Sequence, residues 1–187
     1  MVYCKKIRAY YLQDNYIIIR ATIQQNGGKT EHNIVKECVV FMENLSNFAQ
    51  CLSTLMNEHS LKAPALAKIL HTDRSNITRY LRGERFPLYR GFVALIEYFN
   101  VSADYMLGLD DYAIDKQFLP VQPFGERLKK VMAETNTTQY AIEKNTDISS
   151  SSIYNWLYAG RVPTVESLIK LSKYMEVSVD YLLGRVI

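Results

Sequence analysis

The sequence has few residues that form covalent or metal cross-links. Its three cysteines, Cys4, Cys38 and Cys51, are an odd number and lie far apart, and the three histidines stand at no metal-ligand spacing from them. We therefore expect reduced, partly buried thiols rather than disulfides or a metal centre. No cofactor is expected.

Long apolar runs and catalytic motifs are also missing. No run approaches the roughly 18 apolar residues of a membrane-spanning helix, and residues 1–16 lack the apolar core of a signal peptide. These absences predict a cytoplasmic protein without a membrane partner. The chain has only 8 glycines, and it shows no phosphate-binding glycine loop, HExxH motif or Ser/His/Asp set. We do not expect an enzyme.

The excess of charge of one sign is small. Lys and Arg total 22 and Asp and Glu total 19, so the net charge is +3 at pH 7. A net charge of this size does not by itself predict a nucleic-acid partner. Any inference about such a partner therefore depends on where the charges lie.

What the chain does contain is an internal repeat. The segments "VSADYMLGLD" (101–110) and "VSVDYLLGRV" (177–186) align at an offset of 76 residues, and the alignment continues without a gap back to Phe48 and Phe124. We call residues 48–110 repeat one and residues 124–186 repeat two. Nearly all the matches are apolar or turn residues, as two copies of one fold would keep. Matched pairs include Leu52 and Leu128, Ile77 and Ile153, Tyr80 and Trp156, Leu81 and Leu157, and Pro87 and Pro163.

Helical spacing and capping residues predict five short helices in each repeat. The predicted fold class is therefore all-α, with two tandem five-helix domains at residues 42–109 and 124–187. Residues 110–123 are acidic and end with two prolines, which predicts a linker. The predicted helices begin near residue 45, Pro64, Asp73, Pro87 and Ser102 in repeat one, and near Phe124, Thr138, Ser149, Thr164 and Ser178 in repeat two.

The third predicted helix of repeat one has an apolar inward face and a basic outward face. Ile77, Tyr80 and Leu81 share one side at helical spacing. A guanidinium group matches the paired acceptors of guanine and also phosphate oxygens. A solvated charged face is the alternative for an isolated helix, but charge of one sign on the second helix of a tight pair favours nucleic acid. The residues on the outward side are Arg74, Ser75, Thr78, Arg79 and Arg82, with Arg85 and Arg90 beyond the helix.

At these positions the sequence resembles the Cro/repressor-type helix-turn-helix proteins, also called the xenobiotic-response-element family. The resemblance depends on the second and third helices, then "RGERFP" or "YAGRVP", and then "VSADYMLG" or "VSVDYLLG". It covers both repeats. It implies that the third helix of each repeat enters the major groove of a double-stranded DNA operator, and that the protein is a homodimer.

The resemblance also assigns residues to the DNA interface. The base-facing candidates are Arg74, Ser75 and Arg79 in repeat one and Ser150, Ser151 and Asn155 in repeat two. Gln139 stands where many family members contact phosphate, whereas repeat one has Ala63 there. Ala159 replaces the glycine that Gly83 supplies, and Gly160 is shifted by one residue, so the end of the third helix in repeat two stays open.

We therefore expect a sequence-specific DNA-binding transcription regulator, acting as a repressor. Repeat one should supply most of the affinity, because residues 74–90 contain five arginines and residues 150–166 contain only Arg161. The alternative is a protein-interaction or antitoxin-like module in which repeat two binds protein, since Tyr154 and Tyr158 replace charge there. Tyr105 and Tyr181 are either exposed self-association residues or buried.

Residues 1–41 have no counterpart in the repeat. The stretch "YIIIRATIQQNGGKTEHNIVKECVVF" has two β-branched runs around Asn26, Gly27 and Gly28, which is typical of a β-hairpin. An isolated hairpin is marginal in water and would need cover. Because Met42 directly precedes the first predicted domain, a start codon assigned too far upstream is an equally open explanation of this extension.

Overall fold

The computed structural model describes residues 7–11, 17–21, 31–110 and 117–186 of the chain. This part of the chain contains two β-strands and ten α-helices. The chain divides into two compact units, residues 1–42 and residues 43–187. Both sequence repeats lie in the second unit.

The first unit contains a pair of antiparallel strands, β1 (Ile7–Tyr11) and β2 (Ile17–Ala21). Ile7 pairs with Ala21 and Tyr11 pairs with Ile17. The first long helix, α1 (Glu31–Glu58), begins ten residues after β2 ends.

The prediction of a β-hairpin around residues 26–28 is wrong for its second β-branched run, residues 34–41. Its turn lies outside the described residues, but residues 34–41 belong to α1 and form no strand. The reason is a second period in the sequence. Ile34, Cys38, Phe41, Leu45 and Phe48 recur at alternating intervals of four and three, which places apolar residues along one helix face. That period continues the first helix of repeat one backwards past residue 45.

The other helices match their predicted starts to within two residues. Those of repeat one are α2 (Ala63–Ile69), α3 (Arg74–Leu81), α4 (Tyr89–Tyr98) and α5 (Ala103–Met106). Those of repeat two are α6 (Phe124–Glu134), α7 (Gln139–Thr146), α8 (Ser150–Tyr158), α9 (Val165–Met175) and α10 (Val179–Leu183).

Hydroxyl caps fix the beginning of most of these helices. In each case the side-chain oxygen accepts a hydrogen bond from the backbone N–H three residues later, which satisfies a donor that the helix leaves unpaired. Asp73, before α3, makes no such side-chain bond. The capping residues are Ser102, Thr138, Ser149, Thr164 and Ser178.

The turns of the two repeats also correspond. Left-handed backbone occurs at matched positions of the 76-residue offset, and the pairs are Ser60 and Asn136, His71 and Asp147, Asn100 and Glu176, and Gly108 and Gly184. The exception is the end of the third helix, where Gly83 has φ +62° and the left-handed residue of repeat two is Gly160, at φ +65°. Helix α8 therefore continues to Tyr158, one position further than α3, and Ala159 caps it.

Each repeat buries its own apolar residues between its helices, and the linker closes onto repeat two. Fully buried side chains include Phe48, Leu66 and Ile77 in repeat one. In the described half of the predicted linker, the Leu119 N–H donates to the Arg185 carbonyl and the Gln122 N–H to the Leu183 carbonyl. Residues 117–123 are therefore attached to the C-terminal end of α10 by backbone hydrogen bonds.

We predict that Gly125→Ala destabilises the chain. A Cβ at Gly125 would lie 2.3 Å from the carbonyl oxygen of Trp156, so α6 and α8 would have to move apart. Such overpacking costs about 1–3 kcal/mol of unfolding free energy. Urea unfolding followed by circular dichroism measures the change.

Gly91→Ala is the matched control within α4. A Cβ there meets nothing closer than Pro87, at 3.4 Å. Because alanine favours helix over glycine by about 1 kcal/mol, this variant should be as stable as the parent or more stable. Equal effects of the two substitutions would contradict the close approach of α6 and α8.

Candidate nucleic-acid interface

Helices α2 and α3 pack together as a helix pair, and α7 and α8 do the same in repeat two. In α3, Ile77 and Tyr80 are buried and Leu81 is half-buried. The inward face predicted from helical spacing is therefore confirmed. The outward face of α3 is consequently available to solvent and to a ligand.

The strongest basic positions of α3 are exposed and unpaired within the described chain. Arg74, Ser75 and Arg79 all face solvent. Neither Arg74 nor Arg79 has an acidic partner among residues 31–110 and 117–186. Arg90, at the start of α4, is exposed too. These guanidinium groups lose no existing ion pair when an anionic ligand binds.

Three other predicted residues of repeat one are partly engaged. The Thr78 hydroxyl donates to the Arg74 carbonyl at 3.1 Å, which uses its proton within the helix. Arg82 lies 3.7 Å from the Glu84 carboxylate, an exposed pair that contributes little. Arg85 is half-buried, with its Cζ 5.8 Å from the centre of the Tyr80 ring. Arg85 therefore supports the helix as well as adding positive charge.

The predicted contact residues of repeat two lie along the first turns of α8. Ser150 and Ser151 are exposed and Asn155 is half-buried. The Ser150 N–H donates to a Glu143 carboxylate oxygen at 3.3 Å. Arg161 follows Gly160 and is exposed. The face is therefore polar, with hydroxyl and amide groups where α3 has arginines.

Gln139 and the end of α8 form one connected cluster. The Gln139 side-chain amide donates to the Tyr158 hydroxyl at 3.2 Å. The Tyr154 and Tyr158 rings lie 5.0 Å apart, and the ammonium of Lys129 is 4.9 Å from the centre of the Tyr158 ring. We call Lys129, Gln139, Tyr154 and Tyr158 the tyrosine–lysine cluster. Within this cluster, the hydrogen bond to Tyr158 orients the Gln139 side chain. The position of Gln139 in the sequence does not reveal this bond.

Sequence reasoning missed Lys129. It lies in α6, more than twenty residues before α8, and only the packing of α6 on α8 brings its charge to this face. A cation over a tyrosine ring is a favourable electrostatic contact. The face of repeat two is therefore less neutral than residues 150–166 suggest. Tyr154 and Tyr158 are each 58% exposed, and Tyr140 on α7 is 70% exposed.

Tyr105 and Tyr181 are half-buried and are engaged within their own repeats, so neither of the two alternatives for them, exposed or buried, is confirmed. The Tyr181 hydroxyl donates to Glu134 at 2.7 Å, and the Arg127 guanidinium lies 4.3 Å from its ring centre. Tyr105 is hydrogen-bonded to Cys51. Short helices turn these rings inward against α1 and α6, which sequence spacing alone does not fix.

Comparison with known proteins identifies one of the two helical repeats. Residues 128–182 match the family model described as helix-turn-helix. This segment contains a helix-turn-helix domain, with α7 and α8 as its helix pair. No curated protein sequence matches the chain. A crystal structure of a transcriptional regulator from Listeria innocua aligns at 25% identity over 59% of this chain and 94% of the other, with a TM-score of 0.33.

The lengths and hydropathy of the described helices were compared with what a membrane-spanning helix requires. In residues 31–110 and 117–186, none combines the length and the apolar character that crossing a bilayer requires.

We predict that Cys51 is a slow nucleophile. Burial raises the pKa of its thiol to about 11, and the nearby Glu58 carboxylate adds to the shift. At pH 8 such a thiol is about 0.1% ionised, against about a quarter for a free cysteine of pKa about 8.5. Alkylation by iodoacetamide in a Cys4→Ser, Cys38→Ser background should be about 250-fold slower than for a free cysteine.

The rate should rise about tenfold per pH unit up to the shifted pKa. Alkylation in urea, where burial is lost, is the control and should approach the rate of a free cysteine. A native rate equal to the denatured one would contradict the burial of this thiol.

Proposed function

We propose that the chain is a DNA-binding transcription regulator that acts as a repressor, with α3 and α8 as its recognition helices. The observation that carries the proposal is the exposed face of α3, where Arg74, Ser75 and Arg79 project from the second helix of a tight helix pair. Such a helix fits the major groove and contacts base edges with residues near its N-terminus.

The helix-turn-helix match to repeat two supports the same role for repeat one. The two repeats share helix starts and left-handed turn positions at one offset. Because backbone geometry of this kind is set by a common fold, we infer that repeat one is a second helix-turn-helix domain. Its α3 then occupies the place that α8 holds in the matched segment.

The side chains suggest distinct chemical roles. Arg74 and Arg79 can each donate two parallel hydrogen bonds to guanine, and Asn155 can do the same with adenine. Ser75, Ser150 and Ser151 can donate to either bases or phosphates. We assign the remaining candidates to the DNA backbone, where contacts fix register without specifying sequence. These candidates are Thr78, Arg82, Arg85, Gln139 and Arg161.

Repression follows from where such a protein would bind. A chain seated on its operator covers the duplex that a polymerase needs, so bound protein lowers transcription without any further activity. Reporter expression from a promoter carrying the selected site tests this role directly. Expression should fall when the chain is present.

One observation favours a second function for repeat two. Tyr140, Tyr154 and Tyr158 are exposed, and tyrosine is enriched where proteins bind each other. In that case repeat one alone would bind DNA and repeat two would hold a protein partner. Substitution of Tyr154 and Tyr158 by alanine would then leave DNA affinity unchanged, whereas a DNA-facing α8 predicts a loss.

We predict that Arg79→Ala relaxes base preference. A guanidinium that pairs with guanine contributes about 1–3 kcal/mol of discrimination against the wrong base. Binding-site selection followed by electrophoretic mobility shift on the selected and a scrambled duplex measures it. Affinity for the selected duplex should fall far more than affinity for the scrambled one.

Arg90→Ala is the control for charge alone. Arg90 is exposed and lies outside α3, so its removal should weaken both duplexes alike. It is a cleaner control than Arg85→Ala, which also removes packing on Tyr80. If Arg79→Ala and Arg90→Ala had the same profile, base contact by Arg79 would be excluded.

We predict unequal contributions of the two repeats to salt-dependent affinity. Each phosphate contact contributes a slope of about −0.9 to the log–log plot of affinity against salt. With Arg74 and Arg79 on guanine, the remaining arginines of repeat one, Arg82, Arg85 and Arg90, would give about −2.7. In the full chain, Arg82→Ala with Arg90→Ala should therefore make the slope shallower by about 1.8.

The matched change in repeat two is Lys129→Ala with Arg161→Ala, which also removes two positive charges. It should reduce the slope by less. A larger reduction from the repeat-two pair would overturn this ranking.

A further inference from the structure

The two repeats are joined by a pair of reciprocal helix caps. Asp104, in α5, accepts hydrogen bonds from the backbone N–H groups of Val179 and Asp180 at the start of α10, at 2.9 and 3.1 Å. Asp180, in α10, accepts from the backbone N–H of Ala103 and the hydroxyl of Ser102 at the start of α5, at 2.8 and 2.7 Å. Both carboxylates are buried. Each helix thus caps the other.

One hydrogen bond of each cap is symmetric under exchange of the repeats, whereas the bonds from the Ser102 hydroxyl and from the Asp180 N–H have no counterpart among the described residues. The 76-residue offset relates Ala103 to Val179 and Asp104 to Asp180, so the bond from Ala103 to Asp180 becomes the bond from Val179 to Asp104. A contact that maps onto itself in this way defines an isologous interface, which a two-fold rotation generates. Because α3 and α8 hold equivalent places in their repeats, a two-fold relation between the repeats would also relate the orientations of α3 and α8.

A buried arginine ties the repeats together from one side. Arg185 is 1% exposed. Its guanidinium donates to the Val101 carbonyl at 2.9 Å and to the Ile96 carbonyl at 3.4 Å, both in repeat one. It also bonds Asp180 at 2.6 Å, which keeps that carboxylate aimed at α5. Leu109 stands at the equivalent position of repeat one, so this bond has no mirror image.

Packing between the repeats adds to the polar contacts. The Tyr89 ring of α4 meets the Phe124 ring of α6, with centroids 6.1 Å apart. The Phe118 ring from the linker covers the Arg185 guanidinium at 4.2 Å. Arg185 and Asp180 form a buried charge pair. Removal of one partner of such a pair strongly destabilises the folded protein. The two repeats therefore hold a fixed arrangement and are not independently tethered heads.

We propose that one chain is a complete two-headed unit that binds a single asymmetric DNA site as a monomer, with Asp104 and Asp180 setting the separation of α3 and α8. This inference rests on the proposed function. The half-sites differ because α3 presents arginines where α8 presents serines, an asparagine and tyrosines. The two-fold relation places the half-sites in opposite orientations. The N-terminal ends of α5 and α10 contact each other within one chain.

The first test measures stoichiometry and spacing with the full chain and its selected site. Light scattering should give 21.6 kDa for the free protein and one chain per duplex in the complex. The half-sites should be unlike and about 34 Å apart. Arg79→Ala should change preference in one half-site only, and Asn155→Ala in the other.

Insertions between the half-sites test the fixed arrangement. Five added base pairs turn one half-site to the opposite face of the duplex, and ten restore the face but lengthen the separation. A rigid pair should lose about 100-fold or more in affinity with either insertion, because only one head can then bind. Heads on a flexible linker would tolerate ten base pairs.

Asp180→Asn and Asp104→Asn test the caps. An amide offers one acceptor oxygen where the carboxylate uses two. Asp104→Asn therefore loses one of the two cap bonds on α10, and Asp180→Asn loses either the cap on α5 or the bond from Arg185. Either variant should bind the original site more weakly and lose the distinction between the original and ten-base-pair spacings. Glu176→Gln removes the same charge from an exposed position and should leave the spacing profile unchanged. Circular dichroism melting identifies any variant that fails to fold, and the insertion series on the parent chain does not depend on the variants.

The outcomes separate the two levels of the proposal. No binding to any duplex would overturn the proposed function itself. Binding by two chains to identical half-sites, or tolerance of the ten-base-pair insertion by the parent chain, would leave DNA binding intact and overturn the monomeric two-headed unit. If both aspartate variants kept the spacing profile of the parent chain, the caps would not be what sets the separation of α3 and α8.

Discussion

Two buried carboxylates, Asp104 and Asp180, require hydrogen-bond donors, and two short helices require acceptors for their first N–H groups. The other repeat meets part of each need, because Asp104 accepts from the first N–H groups of α10 and Asp180 accepts from the Ala103 N–H of α5. Helices α5 and α10 have four and five residues, too short to persist alone in water because helix nucleation is costly. Their formation therefore depends on the same contacts that hold the repeats together. These contacts between the repeats also set the relative placement of α3 and α8.

The exposed faces of α3 and α8 differ in chemistry. Helix α3 exposes arginines that hold no partner in the described chain, so its attraction to phosphate is strong and sensitive to salt. Helix α8 exposes hydroxyl and aromatic groups, with Lys129 brought in from α6. The exposed face of α3 therefore has positive charge, whereas the tyrosine–lysine cluster combines aromatic rings with one ammonium group.

The N-terminal region shows how two periods can compete in one segment. Residues 34–41 contain β-branched residues that favour a strand, yet their apolar positions also repeat at the helical interval. The helical period continues into the buried residues Leu45, Phe48 and Leu52, whereas a strand there would have broken that face. Local propensity is worth tenths of a kcal/mol per residue, and a continuous buried face outweighs it.

The sequence by itself determined the starts of α2 to α10, the inward face of α3 and its basic outward face, because caps and helical spacing act within a few residues. It also revealed the repeat, since matched apolar positions survive where surface residues differ. Only the tertiary structure decided that Lys129 reaches Tyr158, that Tyr105 and Tyr181 turn inward, and that Arg185 bonds the carbonyls of repeat one. These contacts join residues twenty to ninety positions apart. Their geometry depends on how whole helices pack, which no local pattern encodes.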